Sequence, residues 1–346
     1  MKKSAWNVAV IGATGTVGRE IVAVLAQRGF PFQRLRLFAS SASAGQEVDE
    51  ADVRVEELRS ETDLAGLDLV FLACPQDVAR SWRERAVAAG TFVIDLSAAG
   101  GERQDDILVV PEVNAGDLAK ARERRAVASP DPAAIALSVV VHPLRQCASL
   151  RGILATVLDP LSLAGRRGVD LLEHEVHALL SGAEPDEPEL FPQRVAFNVM
   201  PLAGGGRAPL RCAAPEDIVA AQVRAVLAAP TLPIGVTRVS VPVFYGMAVV
   251  AEVLLETPVE ASRIEEQLRT APGILLASAT AAAFESLLPL PTPATLVGSD
   301  ATHVACVHVR QEVPSVRLWI ALDNTRKGSA LNAVQIAELL ARDYLA

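Results

Sequence analysis

The sequence predicts an α/β fold in two domains, and three observations carry the prediction. A short apolar run from Val8 to Ile11 ends in VAVIGATGTVG (Val8–Gly18), where three glycines stand three apart and helix-forming residues follow from Arg19 to Arg28. Apolar runs then alternate with helical patterns as far as Ser129, as in a parallel sheet with helices on both faces. Beyond Ser129 the pattern changes to longer strand-like runs with mixed connections, which predicts an α+β domain with a mixed sheet.

Composition narrows the function. At 346 residues the chain has room for two cores. Just over half of it is hydrophobic, yet no uninterrupted apolar stretch is long enough to span a bilayer. The basic opening MKKSAWN has no apolar leader segment behind it, which predicts a cytoplasmic protein. A net charge of −9 without any basic run argues against a nucleic-acid or membrane partner. Cys74, Cys147, Cys212 and Cys306 are scattered without metal-ligand spacing and read as reduced thiols.

In the first domain the strand at Val8 stops at Gly12, a helix resumes at Arg19, and Gly29 ends it. A strand that turns sharply into a helix leaves the first N–H groups without intrahelical partners. With the helix dipole, those groups favour a phosphate, and Gly12, Gly15 and Gly18 allow close backbone approach. The spacing G-x-x-G-x-x-G is a variant of the dinucleotide fingerprint, so Gly12, Thr14, Gly15, Thr16 and Val17 are candidate cofactor residues. A glycine-rich turn without a ligand is the plainer alternative. Leu35–Ala39, Leu67–Cys74, Thr91–Asp95 and Ile107–Val110 read as further strands, and Gln76–Ala89 as a helix. The second strand ends at Ser40 rather than at a carboxylate that would accept a ribose 2′-OH, which favours NADP over NAD. Ser40, Ser41 and Ser43, ahead of Gly45, can hydrogen-bond a 2′-phosphate, although no arginine sits among them. A plain polar turn reads equally well.

The second domain opens on a helix start. Asp131 can cap it, Pro132 fits the first turn, and an apolar helix, Ala133–Val141, follows. Ser149–Leu158, Arg194–Asn198, Gly235–Val243, Ala248–Glu256, Val297–Arg310 and Val316–Asp323 are strand-like. Gly168–Leu180, Glu216–Ala228 and Glu260–Arg269 are helical between them. Ala183–Pro192 and the glycines at 204–206 read as exposed loops, and an amphipathic helix over Arg326–Tyr344 closes the chain.

The closing run Asp323–Glu338, DNTRKGSALNAVQIAE, is very similar to the last motif of the aspartate-semialdehyde dehydrogenases. The glycine loop, Val110-Pro111-Glu112-Val113-Asn114 and Phe197-Asn198-Val199-Met200-Pro201 also resemble that family, and the resemblance covers essentially the whole chain. It implies a Rossmann-like dinucleotide-binding domain of residues 1–131 and 325–346, and a catalytic and dimerisation domain of residues 132–324. It also implies NADP, with NAD as the alternative, and a homodimer. By the same resemblance Asn324 and Gly328 join Ser40, Ser43 and the glycine loop as cofactor residues.

The family's reaction needs a thiolate that adds to an aldehyde, a base, and cations that hold the substrate carboxylate and the phosphate. By the resemblance, the family's Asn-Pro-Asn-Cys falls on Ser129-Pro130-Asp131-Pro132, so proline stands at the nucleophile. The base in Gly-His-Ser falls on Met247, the arginine in Arg-Val-Pro-Val on Ser240, and the orienting glutamine on Asp159. The phosphate-binding arginine falls on Gly101, with Arg103 two residues away, and the family's lysine falls on Val219. Ser162, Ala164 and Gly165 still match. The pattern resembles the Usg-type paralogues of the family, which keep the fold and lose the active-site set.

Other residues offer little replacement chemistry. Cys74, at a strand end, is the one substitute nucleophile to weigh, and a buried strand-end cysteine is the plainer reading. Cys147 stands roughly 22 Å from Pro132 along the helix. His174-Glu175-Val176-His177 is one residue short of the H-E-x-x-H metal helix and reads as a solvated face, so no metal is expected. His303 and His308, five apart in a strand, point to opposite faces. Asp159 beside Pro160 reads as structural. The expectation is a catalytically silent, nucleotide- or partner-binding homodimer. The alternative is an NAD(P)-dependent oxidoreductase of an aldehyde or oxo substrate that works through Cys74 or Asp159.

Overall fold

The computed structural model describes residues 5–48, 53–97, 106–187, 190–202, 216–277 and 290–344. They form two compact units, Met1–Pro130 with Ser329–Ala346, and Asp131–Gly328. The predicted α/β class holds: the first unit carries an almost wholly parallel sheet and the second a mixed one.

In the first unit the strands are β1 (Trp6–Ile11), β2 (Phe32–Ala39), β3 (Glu47–Val48), β4 (Val53–Glu57), β5 (Leu69–Leu72), β6 (Phe92–Asp95) and β7 (Ala126–Ala128). Their order across the sheet is β3-β4-β2-β1-β5-β6-β7, with only the β3–β4 pair antiparallel. The helices are α1 (Thr16–Gln27), α2 (Gln76–Ala88), α3 (Pro111–Asn114), α4 (Leu118–Arg124) and the C-terminal α9 (Leu331–Asp343). Val8 and Val10 enter one apolar cluster with residues of α1 and α9, while Ala9 and Ile11 enter another with Trp82 of α2. Burial on both faces is why β1 reads as an unbroken apolar run. A two-pronged ion pair, Arg28 Nε and Nη2 to Glu338 at 2.7 and 2.8 Å, ties α1 to α9.

Several boundaries differ from the sequence expectation. Helix α1 begins at Thr16, with Gly15 at its N-cap, so Gly18 lies inside the helix instead of ahead of it. The strand expected at Ile107–Val110 is reduced to one bridge, Leu108 to Ala128. The Asn114 side chain takes the ladder groups there: its Oδ1 accepts the Val110 N–H at 2.8 Å and its Nδ2 donates to Leu108 O at 2.8 Å. The sheet continues through β7 instead.

The second unit contains β8 (Leu150–Asp159), β9 (Met200–Pro201), β10 (Ile234–Ser240), β11 (Met247–Leu255), β12 (Ile274–Leu276), β13 (Thr302–Arg310) and β14 (Ser315–Leu322). Their order is β12-β13-β14-β11-β8-β10-β9, with β8–β10 and β12–β13 parallel and the other pairs antiparallel. Helix α5 (Pro132–Leu144) is buried on almost every side, packed by β11, β14, α7 (Glu216–Val226) and α8 (Ala261–Thr270); α6 (Arg166–Leu180) lies apart in its own apolar cluster. Ala155, Ala251 and Leu318 are buried on one face of this sheet, whereas Leu154 and Val250 on the other are 55% and 39% exposed.

Four further expectations are corrected here. Arg194–Asn198 is a side-chain-built loop, not a strand: the Glu175 carboxylate accepts the Val195 and Ala196 N–H groups at 2.8 and 2.7 Å, and Asn198 Nδ2 donates to Arg194 O. Glu175 is therefore buried, while His174 and His177 on either side are exposed, so only part of that stretch is a solvated face. A bulge in β13 between Ala305 and His308 adds a residue. His303 and His308 consequently pair with Ala321 and Arg317, four apart, and share a face. The closing helix starts at Leu331; Arg326–Ala330 is a wider π-type turn, with the Asp323 carboxylate accepting from the Thr325 and Arg326 N–H groups. Gly101, Arg103, Cys212 and the glycines at 204–206 lie outside the described residues, as does the side chain of Cys306.

Candidate functional site

The glycine turn is built by close backbone packing. The Gly12 and Ala13 N–H groups both donate to Phe38 O, at 2.8 and 3.1 Å, which fixes the exit of β1 against the end of β2. Gly12 has φ +90°, and a Cβ there would stand 2.2 Å from the carbonyl oxygen of Ala73; one on Gly18 would stand 2.1 Å from that of Gly12. Only glycine fits either place, which brings the loops after β1 and β5 together where the strand order reverses. Thr14, Gly15, Thr16 and Val17 remain at the surface around the α1 N-terminus, whose first N–H groups have no intrahelical acceptor. Ser40 is exposed directly after β2, and Ser43 ends a short turn in which its N–H donates to Ser40 O. Arg19, passed over in the sequence because it lies on α1, reaches this region: its Nε donates to Thr14 O at 3.2 Å and its Nη2 to Gln46 Oε1 at 3.4 Å. Its helical position four residues after Gly15 is the signal that would have found it.

Cys74 follows β5 at this edge. Burial, with the Asp95 and Asp77 carboxylates adding to it, pushes its thiol up to about 12. That is the reverse of what a nucleophilic cysteine needs. Burial also raises the Cys147 thiol, at the far end of α5.

Pro132, Asp159, Val219, Ser240 and Met247, five positions that carry the family's chemistry by resemblance, lie in the second unit. Asp131 caps α5, its Oδ1 accepting the Ala133 N–H at 2.8 Å, and Pro132 takes the first helical position. A Cβ on Gly328 would stand 2.8 Å from Pro132 Cβ and 2.9 Å from Leu322 Cδ1, so the closing motif presses on the helix start. Leu322 pairs with Met247, which is wholly buried. Asn324 is buried as well: its Oδ1 accepts the Gly246 N–H at 2.9 Å and its Nδ2 donates to Ser162 Oγ at 3.0 Å.

Asp159 and Ser240 face each other in the β8–β10 register. Arg238, two residues ahead of Ser240 on the same strand, donates from Nε and Nη2 to Asp159 at 2.7 and 2.8 Å, and from Nη1 to Asp131 at 3.0 Å. Burial pushes the Asp159 carboxyl up, against the pull of Arg238. Burial works to lower Arg238, but the two carboxylates hold it well above the ordinary arginine value. Sequence reading missed Arg238 altogether. Among the described residues no group of three or more His, Cys, Asp or Glu side chains could hold a metal, and no helix is long and apolar enough to cross a membrane.

A parallel sheet whose first strand turns through glycines into a helix beside the switch point has the architecture of the dinucleotide-binding α/β domains. Residues 7–121 match the family described as semialdehyde dehydrogenase, NAD binding domain, and residues 141–327 match semialdehyde dehydrogenase, dimerisation domain. The chain is 37% identical over 340 residues to a USG-1 protein homolog of Azotobacter vinelandii, covering 96% of this chain and 97% of that one. It is 32% identical over 343 residues to an aspartate-semialdehyde dehydrogenase of Rickettsia bellii, covering 98% and 99%. The crystal structure of aspartate-semialdehyde dehydrogenase II from Vibrio cholerae superposes with a TM-score of 0.89 at 32% identity, over 98% of this chain and 99% of that one. The chain belongs to the semialdehyde dehydrogenase family.

Proposed function

We propose that this family member has given up the cysteine-dependent reaction and acts as a nucleotide-binding homodimer. One observation carries the reading. At the start of α5, where the family's thiol falls by resemblance, Pro132 stands against Gly328, and no described thiol with a lowered pKa replaces it. An imino acid supplies no sulfur for acyl transfer. The residue at the base position, Met247, is a buried thioether that takes no proton near neutral pH.

The nucleotide side of the reading rests on the first unit. Gly12, Thr14, Gly15, Thr16 and Val17 would hold a pyrophosphate at the α1 N-terminus. Ser40, Ser43 and Arg19 suit a ribose 2′-phosphate, which supports NADP over NAD. Asn324 and Gly328 stay in the proposed cofactor set by the resemblance, with the Asn324 amide held by Ser162 and the Gly246 N–H. The dimer would form through the sheet face that carries Leu154 and Val250, apolar side chains left bare in a single chain.

A calorimetric titration with NADP and NAD tests the cofactor reading, with binding expected and tighter for NADP; no affinity for either ends it. Incubation with NADP, aspartate semialdehyde and phosphate, followed by the absorbance of reduced cofactor, tests the silence. The 32% identity to named dehydrogenases favours a second reading, an oxidoreductase with a non-standard site. Turnover that vanishes in Cys74→Ser or Asp159→Asn would establish it.

A further inference from the structure

Arg238 is 1% exposed, and both oxygens of Asp159 meet it through Nε and Nη2 while Asp131 takes Nη1. This parallel fork is the geometry in which a guanidinium binds a carboxylate of any origin, a side chain or a small free acid. Three elements distant in sequence supply the cluster: the cap of α5, the end of β8 and the middle of β10. Pro130, Pro132 and Pro160 flank the two aspartates and restrict the backbone that carries them. Two carboxylates share the one cation, and Glu216 on α7 holds the strand beneath it, its Oε1 accepting the backbone N–H of Arg238 at 3.0 Å. Apolar residues of similar volume are usually at least as stabilising as such a buried ionic group, so core packing alone does not account for it.

We infer that the second unit is self-liganded: Asp159 occupies on Arg238 the seat of a small carboxylate ligand and closes that seat to external acids. The inference rests on the proposed loss of the family's reaction and says what fills the position instead. Its ligand class is a monocarboxylate small enough to replace one aspartate side chain.

The test uses the full chain carrying Asp159→Gly, probed with acetate and formate. Removing one partner of the buried pair is expected to lower the melting temperature by roughly 10 °C. Acetate or formate should then restore at least about half of that loss with saturable dependence, as expected for binding to the folded state. Chloride at equal ionic strength should not, and neither the wild-type chain nor Asp159→Gly with Arg238→Leu should respond. A loss that neither acid recovers, or a wild-type chain that responds as strongly, overturns the inference. If Asp159→Gly folds in no salt, Asp131→Gly, which opens the Nη1 side, takes its place, and a missing acetate response there overturns it equally. Turnover by the wild-type chain would instead end the proposed function, a separate readout from the acetate response.

Discussion

Gly328 and Pro132 touch so closely that a Cβ on the glycine would come within 2.8 Å of the proline's own Cβ, with Leu322 at 2.9 Å on its other side. The closing motif can therefore approach the start of α5 only while residue 328 has no side chain. Gly328→Ala forces two packed neighbours apart. A loss of about 1–3 kcal/mol in unfolding free energy is expected, read from urea titration.

Asp131 has two tasks, capping α5 through Oδ1 and meeting Arg238 through Oδ2. Asparagine keeps the first and gives up the charge of the second. Asp131→Ala should cost about 1 kcal/mol more than Asp131→Asn, the value of a helix cap, and equal costs would refute the division.

Burial pushes the Asp95 carboxyl up, although hydrogen bonds from Ser97 and the Arg83 guanidinium pull it down. Its Oδ2 makes no hydrogen bond among the described residues, with Arg83 Nη1 at 3.7 Å. A carboxyl whose folded value exceeds its unfolded value contributes stability that is full below the unfolded value, about 3.9, and is lost as pH rises through the folded one. Asp95→Asn is free of that loss. Its stability relative to wild type should climb as pH rises above about 4, and a constant difference would show that Asp95 is not the group responsible.

With its thiol near 12, Cys74 exposes a thiolate fraction at pH 7.5 about a thousandfold below that of an ordinary cysteine. Iodoacetamide should leave it unmodified in the folded chain and label it in urea, as read by peptide mass. Rapid labelling of the folded chain would reopen the case for Cys74 as a nucleophile.

Leu154 is 55% exposed on the bare face of the second sheet. Leu154→Asp places a charge in the proposed dimer contact and should weaken self-association by about tenfold or more in sedimentation equilibrium, with the fold intact by circular dichroism. An unchanged dimer would move the interface elsewhere.

What the sequence revealed follows from how local the causes are. The β1 run and the glycine turn were legible because burial on both faces and tight packing leave continuous marks. The α5 start was legible because its cap lies two residues from the N–H it receives. Ile107–Val110 misled because Asn114 satisfies backbone groups that a strand would otherwise pair, and Arg194–Asn198 because Glu175, about twenty residues away, does the same. Arg238 left no mark at all. Its partners come from the parallel register of β8 with β10 and from a cap 107 residues distant, neither of which has a periodicity to read.

Both units have their severed ends side by side. In one, Asn332 Nδ2 donates to Ser129 Oγ at 2.9 Å, just inside the points where the chain leaves and returns; in the other, Pro132 abuts Gly328. Each piece thus closes almost on itself, and threading one through the other demands little loop-closure entropy. Such a chain can be regarded as a guest module spliced into a host. A short peptide bridge from Pro130 to Ser329 is all that a host without its guest would require.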